Sequence, residues 1–312
     1  MAHIPVLLNE VLEVLNPQPN EKFIDGTIGS GGHALEILER ILPNGRLLGL
    51  DLDKNLLELA ESKIRERFKK NLRDNQVTLV NDSFTNLPAI LKENKFGKAD
   101  GLLLDLGFSS WHLEKSGRGF SFLKDEPLDM RYSFSNIPRM KTNMPRMTAE
   151  EVINTFNERE LAEIFWKYGD ERFSRRIARK IIEERKRKQI RTTFDLVAII
   201  KKAVPGSYER GRIHPATRTF LALRIFINAE LENLKKVLAD LPKILKVGAR
   251  VAIISFNSLE DRIVKQIFKE TQKSGLLRII TKKPLRPSRE EIIQNPRSRS
   301  AKLRAAIVKG LV

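Results

Sequence analysis

A short predicted strand, Lys22–Asp25, is followed at once by the glycine-rich segment Gly26–Gly32. The next residues, His33–Leu42, place three leucines on one face of a predicted helix. Glycines between a strand and a helix let the backbone approach a ligand closely and present N–H groups at the positive end of the helix. The segment therefore predicts a nucleotide-binding turn of an α/β sheet, with a plain tight turn as the simpler alternative.

Strand-like and helical patterns continue to alternate after this segment. The predicted elements are the strand Arg46–Leu50, the helix Asp53–Phe68 and the strands Val77–Val80 and Gly101–Leu104. This rhythm is typical of a doubly wound, mainly parallel sheet. A later apolar run, Arg250–Ser255, is expected to return to the same sheet.

The middle of the chain has a different character. A loop-rich stretch, Trp111–Met147, precedes the predicted helices Thr148–Phe156, Glu158–Tyr168, Glu171–Arg187 and Thr193–Ala203. Between Glu171 and Arg191 there are ten Lys or Arg residues against three Glu. We therefore expect an inserted helical, basic domain over residues 113–212 and a nucleotide-binding domain formed by residues 1–112 and 213–312.

The last third predicts one helix around Ala216–Leu241, a turn at Gly248 and a helix over Leu259–Thr271. A basic tail follows, and Ser298-Arg299-Ser300 is expected to be flexible there. We expect the basic residues of this tail to bind the phosphate backbone of a nucleic acid; they are Arg286, Arg289, Arg297, Arg299, Lys302 and Arg304.

Composition excludes several classes of protein. The formal charge is +18, with 57 Lys and Arg against 39 Asp and Glu, which favours a phosphate-bearing partner over a merely solvated surface. There is no cysteine, which removes disulfides, thiolate catalysis and cysteine-based metal sites, and with four histidines we expect no metal centre. No apolar stretch reaches the roughly 18 residues of a membrane helix, and the first ten residues do not resemble a signal peptide, so we expect a cytoplasmic protein.

Acidic residues end two of the predicted strands beside the glycine-rich segment. Asp51 follows the second strand, where a carboxylate can bind the hydroxyls of an adenosine ribose. Gly29-x-Gly31-x-x-Ala34 with Asp51 suits NAD, but Asp25 next to the loop is unfavourable for a pyrophosphate. The pair favours S-adenosylmethionine, which carries a sulfonium and no phosphate. Phe84, after the third strand, is expected to flank the adenine or, with about equal weight, to be ordinary core.

The fourth predicted strand ends at Asp105, which we expect to face the same crevice, unless it caps the next helix. The loop beyond it contains Arg118 and Arg131, a pattern typical of a lid that stacks a base and holds phosphate. Salt bridges of these arginines with Asp125 or Asp129 are the structural alternative.

Several longer motifs resemble the bacterial 16S rRNA (cytosine-N4) methyltransferase family. The resemblance extends from His3 to about Arg304 in the same motif order. It rests on Met1–Leu8, Asp25–His33, Asp105–Ser110, Gly117–Phe122, Leu128–Arg131, His214–Thr219 and Ile254–Arg262.

The resemblance implies a Rossmann-like class I methyltransferase fold with an inserted helical RNA-recognition domain. It implies S-adenosylmethionine as methyl donor, without a metal, and the N4 amine of a decoding-centre (P-site) cytosine in 16S rRNA of the small ribosomal subunit as acceptor. The cofactor contacts that it carries over are Gly31, Gly32, His33, Asp51, Phe84, Asp105 and His112. Candidate RNA contacts are Arg118, Arg131, His214, Arg218 and Asn257.

Two positions depart from the family pattern. Trp111-His112 stands where many members have Pro-Gln, and Asn257 stands where the family usually has His. An asparagine cannot serve as a base, so the substitution at position 257 indicates either a positioning role or altered activity in this member, and the catalytic residue stays unassigned. Neither a membrane nor DNA is an expected partner, and a homodimer is left open. The alternatives are a catalytically silent RNA-binding assembly factor and, with less support, an NAD-dependent oxidoreductase.

Overall fold

A computed structural model describes residues 4–69, 72–107, 110–133, 147–209 and 213–310. The motif residues His3, Phe108 and Ser109 and part of the predicted loop, residues 134–146, lie outside these ranges. The described residues fall into two compact units, the first formed by those before 108 and from 231 onward, the second by those between 110 and 230.

The helices follow one another along the chain. In order they are α1 (Leu8–Leu15), α2 (Gly32–Ile41), α3 (Lys54–Phe68), α4 (Leu87–Glu93), α5 (Ser110–Glu114), α6 (Ala149–Thr155), α7 (Glu158–Gly169), α8 (Ser174–Arg185), α9 (Thr193–Ala203), α10 (Gly206–Glu209), α11 (Thr217–Ile227), α12 (Glu230–Ala239), α13 (Leu241–Ile244), α14 (Ser258–Lys273) and α15 (Arg289–Gln294). Short 3-10 helices cover Phe84–Asn86 and Pro296–Ser300.

The first unit is built on one seven-stranded sheet. Its strands are β1 (Lys22–Asp25), β2 (Arg46–Leu50), β3 (Val77–Val80), β4 (Ala99–Asp105), β5 (Leu245–Ser255), β6 (Leu277–Ile279) and β7 (Lys302–Val308). They lie in the order β3-β2-β1-β4-β5-β7-β6, and only β7 runs antiparallel to its neighbours. The predicted α/β fold with a mainly parallel sheet is confirmed, including the return of residues 250–255 to the sheet.

Both faces of the sheet are buried, which explains its continuous apolar strands. Neighbouring residues of a strand point to opposite faces, so Phe23 and Leu47 pack on one side and Ile24 and Leu48 on the other. Helices α1–α3 cover the first side, and α4 and α12–α14 cover the second. From β1 the chain adds β2 and β3 on one side of the sheet, and it then crosses over to add β4 and β5 on the other side. Open α/β sheets bind ligands at such a point, here between β1 and β4.

The second unit is helical. Three of its helices begin with a reciprocal capping box, at Thr148, Asn157 and Thr192, in which the cap side chain and an acidic residue three positions later satisfy free N–H groups. The box predicted at Thr148 is confirmed. Gly169 ends α7 where an added Cβ would lie 2.4 Å from the carbonyl oxygen of Arg218, so α11 packs closely on α7.

The single helix predicted around Ala216–Leu241 is wrong. The chain leaves α11 at Asn228 and turns at Ala229, whose φ of 48° is left-handed, before α12 begins. The side chain of Asn228 accepts from the Tyr132 N–H and donates to the carbonyl of Met130, so this break is stabilised by contacts within the second unit. An uninterrupted apolar pattern in the sequence gave no sign of it.

The turn predicted at Gly248 and the flexible basic tail are also wrong. Gly248 lies inside β5 with φ +86°, in a bulge between the pairs Ala99–Leu245 and Gly101–Arg250. The tail forms β6, α15 and β7, and Ser298 is buried. Pairing of β7 with β5 and β6 satisfies its backbone, which accounts for the order.

None of the helices in the described part of the chain is long and apolar enough to cross a membrane.

Candidate functional site

The glycine-rich segment forms a tight turn between β1 and α2. Gly29 and Gly31 have φ of 53° and 88°, a region that glycine adopts without steric cost, and Gly31 is the N-cap of α2. The Ile28 N–H donates to Leu50 O and the Gly29 N–H to Asp51 Oδ2, at 2.9 Å each. The end of β2 therefore holds the turn in place.

Asp25 is buried at the end of β1, with an exposed fraction of 2%. Its Oδ1 accepts the Thr27 N–H at 3.2 Å. Burial raises the pKa of the Asp25 carboxyl to about 8, and the nearby carboxyls of Asp105 and Asp51 add to the increase. Near neutral pH, a positive charge bound beside this carboxyl would therefore favour its ionised form.

Asp51 organises the crevice from the end of β2. Its Oδ2 accepts from Gly29 N–H, and its Oδ1 accepts from the N–H of Asp53 at 2.9 Å. Asp53 is in turn the N-cap of α3, accepting from the N–H of Asn55. Each carboxylate oxygen can accept a second hydrogen bond, so Asp51 can hold the turn and ribose hydroxyls together.

Asp105 ends β4 and is linked to the turn through Thr27. The Asp105 N–H donates to Thr27 Oγ1 at 2.6 Å, a contact that the sequence analysis did not anticipate. Burial raises the pKa of the Asp105 carboxyl to about 7, opposed by a hydrogen bond from the Gly107 N–H. Its Oδ1 is buried and has no hydrogen-bond partner among the described residues.

His33 lies in the first turn of α2 and is 6% exposed. Its Nε2 is 2.9 Å from the Val6 carbonyl, so Nε2 carries a proton, and its Nδ1 is 4.0 Å from Asp105 Oδ2. The N-terminal segment is thereby part of the site. An added Cβ on Gly32 would lie 2.6 Å from Pro5 Cγ, which shows how closely this segment covers the turn.

The segment after β3 presents Phe84 at the start of a 3-10 helix. Ser83 caps this helix, and buried Asp82 accepts from the N–H of Ser83 and the amide of Asn86. Phe84 is partly buried and packs against the core, with its Cβ 3.3 Å from the position of a Cβ on Gly26. The core-packing interpretation of Phe84 is therefore confirmed, and its expected contact with the adenine stays a prediction.

Asn257 is the N-cap of α14, directly after β5. Its Oδ1 accepts from the N–H groups of Leu259 and Glu260 at 3.0 Å, and Glu260 accepts from the Asn257 N–H. Its Nδ2 is buried and has no partner in the described part of the chain. A neutral histidine also offers one acceptor and one donor, so the departure from the family pattern preserves both.

In the second unit, His112 lies in an aromatic cluster with Phe120 and Tyr132. It is 4% exposed, and its ring centroid is 5.2 Å from that of Phe120 and 5.1 Å from that of Tyr132. The Tyr132 hydroxyl donates to Glu230, which also forms a bidentate ion pair with Arg224. His112 is therefore held rigidly within its own unit, and its expected cofactor contact stays a prediction.

The structure gives the two lid arginines different roles from a simple phosphate contact. Arg118 is 5% exposed and donates to the carbonyl oxygens of Arg131 and Tyr132. Arg131 forms a bidentate pair with Asp129 at 2.7 and 2.6 Å, as the salt-bridge alternative predicted. Both guanidinium groups hold the loop itself, and their expected RNA contacts stay predictions.

His214 and Arg218 lie around the start of α11. The His214 ring stacks on Phe122, with centroids 4.7 Å apart and planes inclined by 9°. Arg218 donates to the carbonyl of Asp170 and is partly exposed. Aromatic rings and arginines are both suited to nucleic acid, so both residues keep their predicted role as a proposal.

The second unit also carries the exposed basic face predicted from its composition. Its exposed members along and after α8 are Arg172, Arg175, Arg176, Arg179, Lys186, Arg187, Lys188 and Arg191. Arg172 lies over the rings of Phe173 and Tyr208, 4.9 Å from each centroid.

In the tail, Arg286, Arg289, Arg297 and Arg299 are exposed, whereas Lys302 and Arg304 are bound to Asp261. These last two side chains share one carboxylate within the fold, so their predicted phosphate contact stays a prediction.

The charges around the turn distinguish between the two cofactors considered. Three carboxyl groups, those of Asp25, Asp51 and Asp105, are close enough for the first to be affected by the other two. A bound diphosphate would add negative charge to this cluster, whereas a sulfonium and an ammonium would stabilise its ionised form. The residues present fit S-adenosylmethionine and do not fit NAD. Among the described residues, no cluster of His, Asp and Glu is arranged to hold a metal ion.

Comparison with known proteins agrees with this chemistry. The MraW methylase family matches residues 1–309. The chain is similar to proteins named ribosomal RNA small subunit methyltransferase H: it is 45% identical over 307 residues to that of Thermotoga neapolitana, covering 97% of this chain and 95% of the relative. It is 46% identical over 303 residues to that of Dictyoglomus thermophilum, covering 97% and 95%, and 46% over 307 residues to that of Kosmotoga olearia, covering 98% and 97%. A match over nearly the full length of both chains leaves one conclusion, that this chain belongs to the MraW methylase family.

Proposed function

We propose that this chain methylates the N4 amine of a decoding-centre cytosine in 16S rRNA of the small ribosomal subunit, with S-adenosylmethionine as donor. The observation that carries the proposal is the set of acidic side chains at the ends of β1, β2 and β4, beside the glycine turn, in a chain of this family. Relatives of nearly the same length are named as small-subunit rRNA methyltransferases, which supports the substrate class.

The residues that would hold the cofactor all lie in the first unit, apart from His112. Gly31 and Gly32 provide backbone at the start of α2, Asp51 provides acceptors for the ribose, and Phe84 provides an apolar surface for the adenine. His33 and the Asp105 Oδ2 atom that faces it lie beside the turn, where they suit the charged end of the ligand. Bound S-adenosylmethionine supplies an activated methyl group.

The protein must also prepare the amine, because its lone pair is delocalised into the cytosine ring. A carboxylate that accepts a hydrogen bond from the amine favours localisation of the lone pair. Orientation of the reacting groups lowers barriers by about 7–11 kcal/mol in favourable intramolecular cases, so positioning alone is a large contribution. Asp105 is the side chain of the crevice that combines an unused acceptor with a pKa close to neutrality.

We assign recognition of the RNA to the second unit, through its exposed basic face and the His214 and Arg218 surface. Neutralising phosphates with Lys and Arg provides salt-sensitive affinity, and aromatic rings provide stacking surfaces for unpaired bases. Such a protein is expected to act in the cytoplasm, where small subunits are assembled.

The deciding experiment uses small subunits from a strain that lacks the gene. Incubation with the purified protein and S-adenosylmethionine should produce N4-methylcytidine in 16S rRNA, measured by nucleoside mass spectrometry. The Asp51→Ala variant serves as the control for a protein that folds and contacts RNA but binds cofactor poorly. Absence of any new methylated nucleoside, with RNA binding intact, would instead support the silent assembly factor.

A further inference from the structure

Capping of α14 fixes the orientation of the Asn257 side chain. Its Oδ1 accepts two backbone N–H groups, so the amide cannot be turned around without losing both bonds. Nδ2 therefore points away from the helix, buried and without a partner among residues 4–107 and 231–310. A buried donor without an acceptor is costly, and such a group calls for an explanation.

Asp105 carries the complementary feature on the neighbouring strand. Its Oδ1 is a buried acceptor that receives no hydrogen bond from the described residues. Asp105 pairs with Ile254 across β4 and β5, and Leu106 N–H donates to Ile254 O at 3.0 Å. The ring of Phe256 covers Gly107, where an added Cβ would lie 2.6 Å from it. The unsatisfied donor and the unsatisfied acceptor thus belong to the carboxyl ends of adjacent, closely packed strands.

We propose that Asn257 Nδ2 and Asp105 Oδ1 together recognise the Watson–Crick edge of the target cytosine. The N4 amine donates to Asp105 Oδ1, and Asn257 Nδ2 donates to N3. This inference rests on the proposed function, because it requires a cytosine at the site. It gives each of the two atoms, which have no partner among the described residues, a partner on the base.

The pair also accounts for rejection of uracil and guanine. Uracil presents an acceptor, O4, in place of the amine and an N3–H donor in place of the ring acceptor. Asp105 Oδ1 would then face an acceptor, and Asn257 Nδ2 would face a donor. Both protein atoms would stay unsatisfied, and such unpaired polar groups discriminate strongly between substrates. Guanine offers the same reversed pattern. Asn257 is therefore a specificity-determining residue as well as a helix cap.

Substitutions at position 257 separate these two roles. Asn257→Ser keeps an N-cap through the hydroxyl but removes the amide donor, whereas Asn257→Ala removes both. For Asn257→Ser we expect kcat/KM for small subunits to fall about tenfold, with the Kd for S-adenosylmethionine and the Tm unchanged. Asn257→Ala should lower Tm in addition.

A substrate analogue tests the assigned atom. Reconstituted small subunits that carry 3-deazacytidine at the target position lack the N3 acceptor. Wild-type protein should lose about tenfold in kcat/KM on this substrate, and Asn257→Ser should lose nothing further, because the same contact is already absent. Independent, multiplicative losses would overturn the proposal.

The outcomes distinguish this inference from the function beneath it. If the wild-type protein methylates no subunits, the proposed function fails. If the wild-type protein methylates them and Asn257→Ser has the same kcat/KM, only the role of Asn257 fails. A loss in Asn257→Ser that is matched by weaker cofactor binding or a lower Tm would also overturn it, since that pattern reports a structural role.

Discussion

His33 Nδ1 lies 4.0 Å from Asp105 Oδ2, so the first turn of α2 faces the end of β4. The other ring nitrogen of His33 is bound to the Val6 carbonyl, and Asp105 is tied through its N–H to Thr27. The turn, the N-terminal segment and the strand end are therefore parts of one hydrogen-bonded assembly. A change in any of them should therefore alter the affinity for the cofactor.

Replacement of Asp51 should weaken cofactor binding severely. Asp51→Ala removes the acceptors of the Gly29 and Asp53 N–H groups together with the expected ribose contact. Hydrogen bonds to a charged group contribute about 1.5–3 kcal/mol, so the Kd for S-adenosylmethionine should rise roughly 10- to 100-fold in calorimetric titration. Asp51→Asn, which keeps one acceptor, should show a smaller loss. An unchanged Kd in Asp51→Ala would remove Asp51 from the ribose site.

Cofactor affinity should depend on pH in a charge-specific way. Burial raises the pKa of Asp25 to about 8 and of Asp105 to about 7, so both carboxyls ionise between pH 6 and 8.5. Ionisation favours the sulfonium of S-adenosylmethionine over the neutral sulfur of S-adenosylhomocysteine. The ratio of the two affinities should therefore rise with pH, and less steeply in Asp25→Asn. A ratio that is flat across this range contradicts the assignment.

The raised pKa of Asp25 also predicts how the free energy of unfolding depends on pH. The pKa of Asp25 is raised on folding, so between about pH 4 and pH 8 the folded state binds more protons than the unfolded state. The free energy of unfolding must fall as pH rises through this window. Asp25→Asn keeps a neutral side chain of the same shape, so it should match the wild type at pH 5 and have the higher Tm at pH 8.5. Equal Tm values at pH 8.5 would refute the raised pKa.

The left-handed backbone of Gly31 should affect cofactor binding more than it affects the free energy of unfolding. Gly31→Ala places a Cβ at φ +88° and 3.4 Å from Ala60, with an expected loss of about 1 kcal/mol in the free energy of unfolding. Gly275→Ala is the matched control, because Gly275 has φ +80° and nothing within 4 Å of an added Cβ. Both variants should lose similar stability in denaturant titrations. Only Gly31→Ala should also raise the Kd for the cofactor.

The basic face of the second unit should determine the salt dependence of RNA binding. Combined replacement of Arg175, Lys186 and Arg187 by Ala should weaken binding to small-subunit RNA. It should also reduce the magnitude of the slope of log K against log salt concentration by up to about 2. A control that removes the same charge from α14, at Lys265, Lys269 and Lys273, should leave both unchanged. All six residues are exposed. Equal effects of the two triple variants would show that net charge alone is responsible.

Local patterns were sufficient for the elements that surround the cofactor turn. The strand ends at Asp25, Asp51 and Asp105 and the glycines between β1 and α2 were predicted because each depends on periodicity and backbone freedom within a few residues. The capping box at Thr148 is of the same kind, since its donors and acceptors are three positions apart. The break at Asn228 was missed because the atoms that stabilise it belong to Met130 and Tyr132, far away in the sequence.

The sequence by itself determined the α/β fold, the acidic strand ends and the membership of the family, because these depend on short-range patterns of apolar, glycine and acidic residues. Only the tertiary structure decided what each polar side chain contacts. It buried Arg118 against backbone carbonyls, bound Arg304 to Asp261 and left Asn257 Nδ2 without a partner among the residues that the structure describes. The physical reason is that hydrogen bonds and burial depend on residues brought together from distant parts of the chain, and no local pattern records which of them will meet.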